Sequence, residues 1–512
     1  MSRTGQDADA MPPGATGGPA GRALAARFRR IARLRQVERV LGWDQRVMMP
    51  PGAAALRGDQ LAELELMRQD ILVAPDMGDL LDAAEAEAAA AGAPDPWWQA
   101  NLREMRRMCR QAGAVPADLL VAKARAVAAG EMAWRAARAE DRFDAMAGPL
   151  RAVIDAVRDW ADALAAAQGC SRYDALLDQY DPGAKAAAIL PLFADLAETI
   201  GEVLPEILER QAAAPPAVQP PSVPTARQAE AARALAAYLG FDFRHGRLDE
   251  SLHPFTSGSL GDVRITTRFD TEDPLSGLLA VAHETGHALY EAGLPAAWRD
   301  QPAGRARGMI LHESQSLLCE RQLMRLPGLL SWLAAELAGR FGAAPAWSAA
   351  NLQRLATRVA PGLIRVEADE VTYPLHILLR TELEQALLSG DLPVDDLPGA
   401  WAERMHDLLG VTVPDDRRGC LQDIHWPSGA FGYFPTYTLG ALAAVQLFEA
   451  AAGAQGGDAG GDADHESILA WMGRNVHGAA SSGDTDGILQ AATGAPLGSA
   501  AFKRHIRATY LT

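Results

Sequence analysis

A chain of 512 residues, 49% hydrophobic and 22% charged, is globular rather than disordered and long enough for two or three lobes. Its formal net charge of −17 excludes nucleic acid as a partner, because phosphate recognition needs a basic face. Four scattered cysteines, Cys109, Cys170, Cys319 and Cys420, never fall in C-x-x-C spacing and read as reduced thiols of a cytoplasmic protein.

In chain order, residues 1–22 ("MSRTGQDADAMPPGATGGPAG…") carry acidic residues and no apolar h-region. They are expected to form a disordered tail, not a signal or transit peptide. Residues 23–225 form an N-terminal helical lobe in this reading. "LAARFRRIARLRQVERVLGW" and "LRAVIDAVRDWADALAAAQG" are amphipathic, and "MMPPGAAALRGD" supplies a turn. The Pro-rich "QAAAPPAVQPPSVPT" (211–225) marks a boundary or crossing loop. Residues 226–512 are the motif-dense catalytic lobe. Within it, "GDVRITTRF" (261–269) alternates apolar and polar residues and predicts a strand. The acidic, Gly-rich 451–464 predicts a mobile surface loop. No long apolar run predicts a membrane span.

The stretch "AVAHETGHALYEAG" (280–293) holds H-E-x-x-H. Asp273 as N-cap, Pro274 at the first position and Gly293 at the end predict one uninterrupted helix around it. On that helix His283 and His287 lie one turn apart and can reach one ion. Glu284 then stands beside the water that such an ion would activate. The five-residue pattern arises by chance often enough that context has to carry it. The metzincin continuation fails, because Tyr290 and Gly293 stand where a Gly and a third His are needed. Glu291, on the same helix, would approach the ion poorly. A carboxylate from a crossing helix fits better, and Glu313 in "GMILHESQSLLCERQLM" (308–324) sits on an apolar face where a glutamate needs a reason. His312 beside it is at most a supporting residue. A second "HES" at 465–467 follows the Gly/Asp-rich loop and reads as a capped helix start, so the tripeptide alone carries little.

Three further clusters bear on substrate. "HPFTSGSLGDVRITTRF" brings His253 and Arg264. "GLIRVEADEVTYPLHILLRTELE" places Arg365, Asp369 and Tyr373 on a helical pattern. "GCLQDIHWPSGAFGYFPTYTLG" carries Asp423, His425, Tyr433 and Tyr437. Arg264 and Arg365 are suited to hold a peptide's free carboxylate, with an Arg365–Asp369 ion pair as the competing reading of Arg365. His425, Tyr433 and Tyr437 are suited to donate to an oxyanion, or simply to pack an aromatic-rich turn.

Taken together, "HPF", "DVRIT", "HETGH", "HESQS", "IRVEAD" and "LQDIHW" resemble the carboxypeptidase Taq family of zinc metallocarboxypeptidases. "LGWDQRVMMPPGAAALRGDQ" and "YDALLDQYDPG" extend the likeness over about residues 25–510. The resemblance implies a mostly α fold, with helical lobes flanking a deep groove and a small β-sheet next to the H-E-x-x-H helix. It implies one Zn2+ per chain, which Co2+ could replace, held by His283, His287 and Glu313, with Glu284 as general base. It links the "DVRIT" and "IRVEAD" arginines to substrate binding and to restriction of substrate length. The implied enzyme is a homodimer that removes single C-terminal residues from peptides with broad specificity and handles proline poorly. Pro374 departs from the pattern and is expected to kink its helix. The rival readings are a zinc oligopeptidase or dipeptidyl peptidase on a similar scaffold, and a helical binding protein without catalysis.

Overall fold

The computed structural model describes residues 18–92, 95–456 and 463–512. Alanine-rich segments with apolar residues at three- and four-residue spacing fold as helices, as their propensity dictates. The first part is helical: α1 (Pro19–Val47), α2 (Ala54–Leu72), α3 (Met77–Ala90), α4 (Pro96–Ala114), α5 (Ala117–Glu140), α6 (Phe143–Gln168), the short α7 (Arg172–Leu177), α8 (Ala186–Ala213) and α9 (Thr225–Tyr238). Leu24, Phe28 and Ile31 mark the buried face of α1, one turn apart each. The Pro-rich segment 214–224 crosses without secondary structure, as its composition dictates.

A three-stranded sheet follows, in the order β1–β3–β2: β1 (Gly246–Glu250), β2 (Thr256–Ser259) and β3 (Asp262–Thr267). The central β3 is the strand expected from its alternation. It runs parallel to β1, with Gly246 opposite Val263, and antiparallel to β2, with Thr256 opposite Ile265. The sheet lies against α10 (Pro274–Gly293), the helix that carries H-E-x-x-H. After it come α11 (Met309–Leu317), α12 (Pro327–Phe341), α13 (Ala349–Ala356), α14 (Tyr373–Ser389), α15 (Leu397–Leu409), α16 (Pro435–Gly453), α17 (His465–Asn475), α18 (Thr485–Thr493) and α19 (Ala500–Tyr510). The mostly α architecture with a small sheet beside the motif helix is the one expected. No helix among the described residues is long and apolar enough to cross a membrane.

Several expectations shift. The tail ends earlier, since α1 begins at Pro19, a favoured first-turn residue; residues 1–17 lie outside the described residues. Of 451–464, Ala451 to Gly453 close α16 and Asp464 caps α17, while 457–462 lie outside the described residues. Pro374 does not kink a helix. It is the second residue of α14, where its missing N–H has no intrahelical partner to lose. The hydrophobic core also ignores residue 225. One large core joins Phe143, Phe193 and Leu235 to Leu311, Leu378 and Phe448, and a smaller one unites α1, α3 and α4 with Trp298 and Ala303. Apolar packing thus joins residues 143–239 to the segment bearing the site and gives the earliest helices a core of their own.

Candidate active site

Helix α10 begins and ends where its sequence signals it should. Asp273 Oδ1 accepts from the Ser276 N–H at 3.3 Å, and Pro274 is the first helical residue. Gly293 ends it for a packing reason, not a left-handed one, because a Cβ there would lie 2.6 Å from His477 Nδ1. Gly286, inside H-E-T-G-H, has the same kind of role. A Cβ would meet the Gln315 carbonyl oxygen at 2.1 Å, so glycine lets α10 and α11 approach closely. From the other side Gly440 of α16 faces Glu313, whose Cβ would lie 2.6 Å from an added methyl.

This close packing brings His283, His287 and Glu313 together, one ligand atom from each lying within 4.8 Å of the others. His283 Nε2 is 3.9 Å from Glu313 Oε1, and His287 Nε2 is 3.5 Å from Glu313 Oε2. The Nδ1 atoms are engaged elsewhere. His283 Nδ1 meets Glu320 Oε2 at 2.7 Å, and His287 Nδ1 meets His312 Nδ1 at 2.6 Å. His312 Nε2 continues to Glu291 Oε1 at 3.4 Å, and Glu291 pairs with Arg39 at 3.5 Å. One proton assignment satisfies this chain: His312 donates to Glu291 through Nε2 and accepts through Nδ1 from His287 Nδ1–H. That leaves the His287 Nε2 lone pair aimed at Glu313.

The electrostatics fit a cation. Burial, with His312 and His283 nearby, drives His287 well below its ordinary value and keeps it neutral, the form that ligates. Burial would also lower His283, but Glu313, Glu320 and Glu284 outweigh it and raise the imidazole to about 10. Glu284 and Glu313 are both pushed up, chiefly by burial. A buried pocket with three glutamates is short of positive charge, and two imidazole nitrogens facing a carboxylate suit a divalent ion of the zinc type. Glu284 itself accepts from Thr256 Oγ1 on β2 at 2.5 Å.

Two cavities, of about 750 and 990 Å3, meet here, with His283, Glu284, Glu313 and Tyr437 lining both. The expected substrate residues are not equally close. Tyr433 and Tyr437 line the smaller cavity, and burial raises both phenols, so they remain hydrogen-bond donors. His425 stands behind them, with Nε2 3.3 Å from the Tyr437 hydroxyl, and burial lowers it to about 4. Arg365 lines the larger cavity. It sits in a 3-10 turn at Arg365–Glu367, not on the helix expected for it, and Asp369 instead caps the backbone N–H groups of Val371 and Thr372. The partner of Arg365 is Asp423, at 2.8 Å, which also takes Arg380 at 2.7 Å; Tyr373 accepts from Arg365 at 3.0 Å. Arg264 lines neither cavity. Its guanidinium is bonded to Asp262 at 2.8 Å and lies 4.5 Å from the Trp43 ring. His253 is exposed on the turn before β2 and lines neither cavity, although Pro254 next to it lines both.

Sequence reasoning missed Glu320, Thr256 and the full part of His312. Glu320 had a visible signal, since it follows Glu313 by two helical turns. Thr256 had none, because its contact depends on how the sheet docks against α10.

A mostly helical chain with a buried H-E-x-x-H pair and a glutamate from a crossing helix is, as a class, a metallopeptidase. The comparisons with known proteins narrow this. The family described as carboxypeptidase Taq (M32) metallopeptidase matches residues 23–510, and the chain belongs to it. The chain is 38% identical over 433 residues to thermostable carboxypeptidase 1 of Thermus thermophilus, covering 83% of this chain and 84% of that one. Carboxypeptidase 1 of Bacillus subtilis is 31% identical, with 82% and 83% covered. Among solved structures, Trypanosoma cruzi metallocarboxypeptidase 1 superposes with a TM-score of 0.91 at 34% identity, covering 96% of this chain and 99% of that one. The protein is therefore a metallocarboxypeptidase, a hydrolase acting on peptide bonds.

Proposed function

We propose that this enzyme is a zinc-dependent carboxypeptidase that releases single C-terminal residues from peptides with broad specificity. Its metal ligands are His283, His287 and Glu313, and its general base is Glu284. The observation that carries this reading is the convergence of the three ligands, with the other imidazole nitrogens already occupied, in a cavity wall shared with Glu284. A zinc ion held by these three residues would supply Lewis acidity, able to acidify a water and polarise the scissile carbonyl. Glu284 accepts the proton of the attacking water and passes it to the leaving amine. Tyr433 and Tyr437 donate to the developing oxyanion, with His425 orienting Tyr437. Arg365 takes the free carboxylate. Together with Arg380 it outnumbers Asp423, so one positive charge is left over beside the larger cavity. Arg264 acts at a distance, through the strand that carries it. Co2+ could take the place of Zn2+ at such a site, and by likeness to the family the enzyme works as a homodimer. Four unpaired cysteines are consistent with the cytoplasm.

The test is mass spectrometry of a defined peptide mixture incubated with the protein, with and without a chelator. The expected result is a ladder of one-residue C-terminal losses that chelation abolishes and that C-terminal amides resist. Internal cuts or dipeptide losses would replace this reading with that of an oligopeptidase.

A further inference from the structure

The smaller cavity has two kinds of wall. One end is the metal-binding trio with Glu284. The other is basic, formed by Arg35 and Arg39 of α1, Arg107 of α4 and Arg305 and Arg307 from the segment before α11. In a protein of net charge −17 such a concentration of cations has no solubility role. Part of it is neutralised internally. Glu104 takes Arg107 at 2.9 Å and Arg307 at 2.8 Å, and Glu291 takes Arg39 at 3.5 Å. Arg35 and Arg305 have no carboxylate partner among the described residues. Arg305 reaches only Met108 Sδ, at 3.8 Å through Nη1, and its Nη2 is buried with no acceptor at all. Burial and the neighbouring guanidiniums Arg39, Arg68 and Arg107 lower both, Arg35 to about 10. Both side chains are half-buried, and a partly desolvated cation without a carboxylate partner is costly unless an anion from outside completes it.

We propose that Arg35 and Arg305 form a carboxylate-binding subsite for Asp or Glu side chains of the substrate, upstream of the bond that is cut. The anion arrives on a peptide, because the same cavity contains the hydrolytic residues. With the free terminus assigned to Arg365 in the other cavity, the chain preceding the scissile bond runs through this one. Two guanidiniums lining one cavity, neither paired with a carboxylate, suit carboxylates, which the planar fork can grip in bidentate fashion. The direction of the peptide rests on the carboxypeptidase reading above. The subsite makes acidic peptides better substrates than neutral ones of the same length and C-terminal residue.

The experiment compares kcat/KM for N-blocked pentapeptides that share one C-terminal residue and carry Glu or Gln before the scissile bond. The expected preference for Glu is about tenfold at low salt, shrinking as ionic strength rises. Arg35→Gln and Arg305→Gln each collapse that ratio, Arg305→Lys retains most of it, and Arg151→Gln, which removes an exposed guanidinium outside the cavity, leaves it intact. A ratio near one in the unaltered enzyme, or one untouched by either substitution, overturns the proposal. So does a loss of discrimination between free acid and C-terminal amide with the Glu preference kept, since the arginines would then be reading the terminus. If no peptide is shortened at all, the functional reading fails instead. The subsite is then judged by fluorescence anisotropy of a labelled, amidated Glu-rich peptide against its Gln-rich twin. Tighter binding of the Glu peptide, lost in Arg305→Gln, supports the subsite, and equal binding overturns it.

Discussion

Glu284 is held by two opposing forces, and their balance can be measured. Burial pushes its carboxyl up, while His283 and the Thr256 hydroxyl favour the ionised form. A general base must be unprotonated, so activity is lost as pH falls through a value above the ordinary carboxylate range of about 4.3. Thr256→Val removes a hydrogen bond to the charged form. The acid limb of kcat/KM is then expected to move to higher pH by about one unit, since a hydrogen bond to a charged group contributes about 1.5 kcal/mol. Glu284→Gln keeps the metal by elemental analysis and lowers kcat by about a thousandfold or more; retention of substantial turnover would remove Glu284 from its assigned role. The three proposed ligands could be picked out in the sequence, and the structure brings them within reach of one another: His283 and His287 share one helical face, and Glu313 sits where an unpaired glutamate has no other reason to be. Thr256 was not legible, since its partner is 28 residues away and on a different element.

At the scale of elements, the site exists because α10, α11 and α16 approach more closely than side chains normally permit. The caps that start α10 can be read from Asp273 and Pro274, because capping is local. The glycines behave differently. Gly286 has ordinary helical surroundings in sequence, and only the approach of α11 reveals why a methyl group is excluded there; Gly293 was read as a helix end, and only the packed His477 shows that a methyl group is excluded there too. Arg365 shows the same limit. Its i,i+4 spacing to Asp369 predicts a helical pair, yet the segment turns and Asp423, remote in sequence, is the carboxylate that pairs with it. Gly286→Ala would force a Cβ against the Gln315 carbonyl, with a cost above the ~1–3 kcal/mol of ordinary overpacking. The expected result is a lower melting temperature and less than one bound metal per chain. Gly201→Ala on α8, where an added Cβ meets nothing within 4 Å, is the matched control and is neutral or slightly stabilising by about 0.5–1 kcal/mol. If both substitutions behave alike, close helix approach is not what assembles the site.

At the scale of the whole molecule, the proposed ligands all lie on α10 and α11, and the hydrophobic core ties those helices to the earlier part of the chain. Composition and the Pro-rich segment suggested a divide at residue 225, but apolar packing crosses it, because a crossing loop and a domain linker have the same composition. The candidate metal site lies on α10 and α11, helices that contribute to that core and pack against α16 and the sheet. A cation that binds only the folded arrangement stabilises it by mass action, by about 4 kcal/mol when its free concentration is a thousand times its dissociation constant. Without it, Glu284, Glu313 and Glu320 are crowded around one imidazolium, with burial raising the first two. Chelation is therefore expected to lower the melting temperature by several degrees, and restored zinc to reverse the shift. Glu313→Ala makes the melting temperature indifferent to zinc, whereas Glu284→Gln leaves the shift in place because the ligands are intact. A shift that survives Glu313→Ala would mean that the stabilising ion binds elsewhere, and the three-residue assignment would then have to be abandoned.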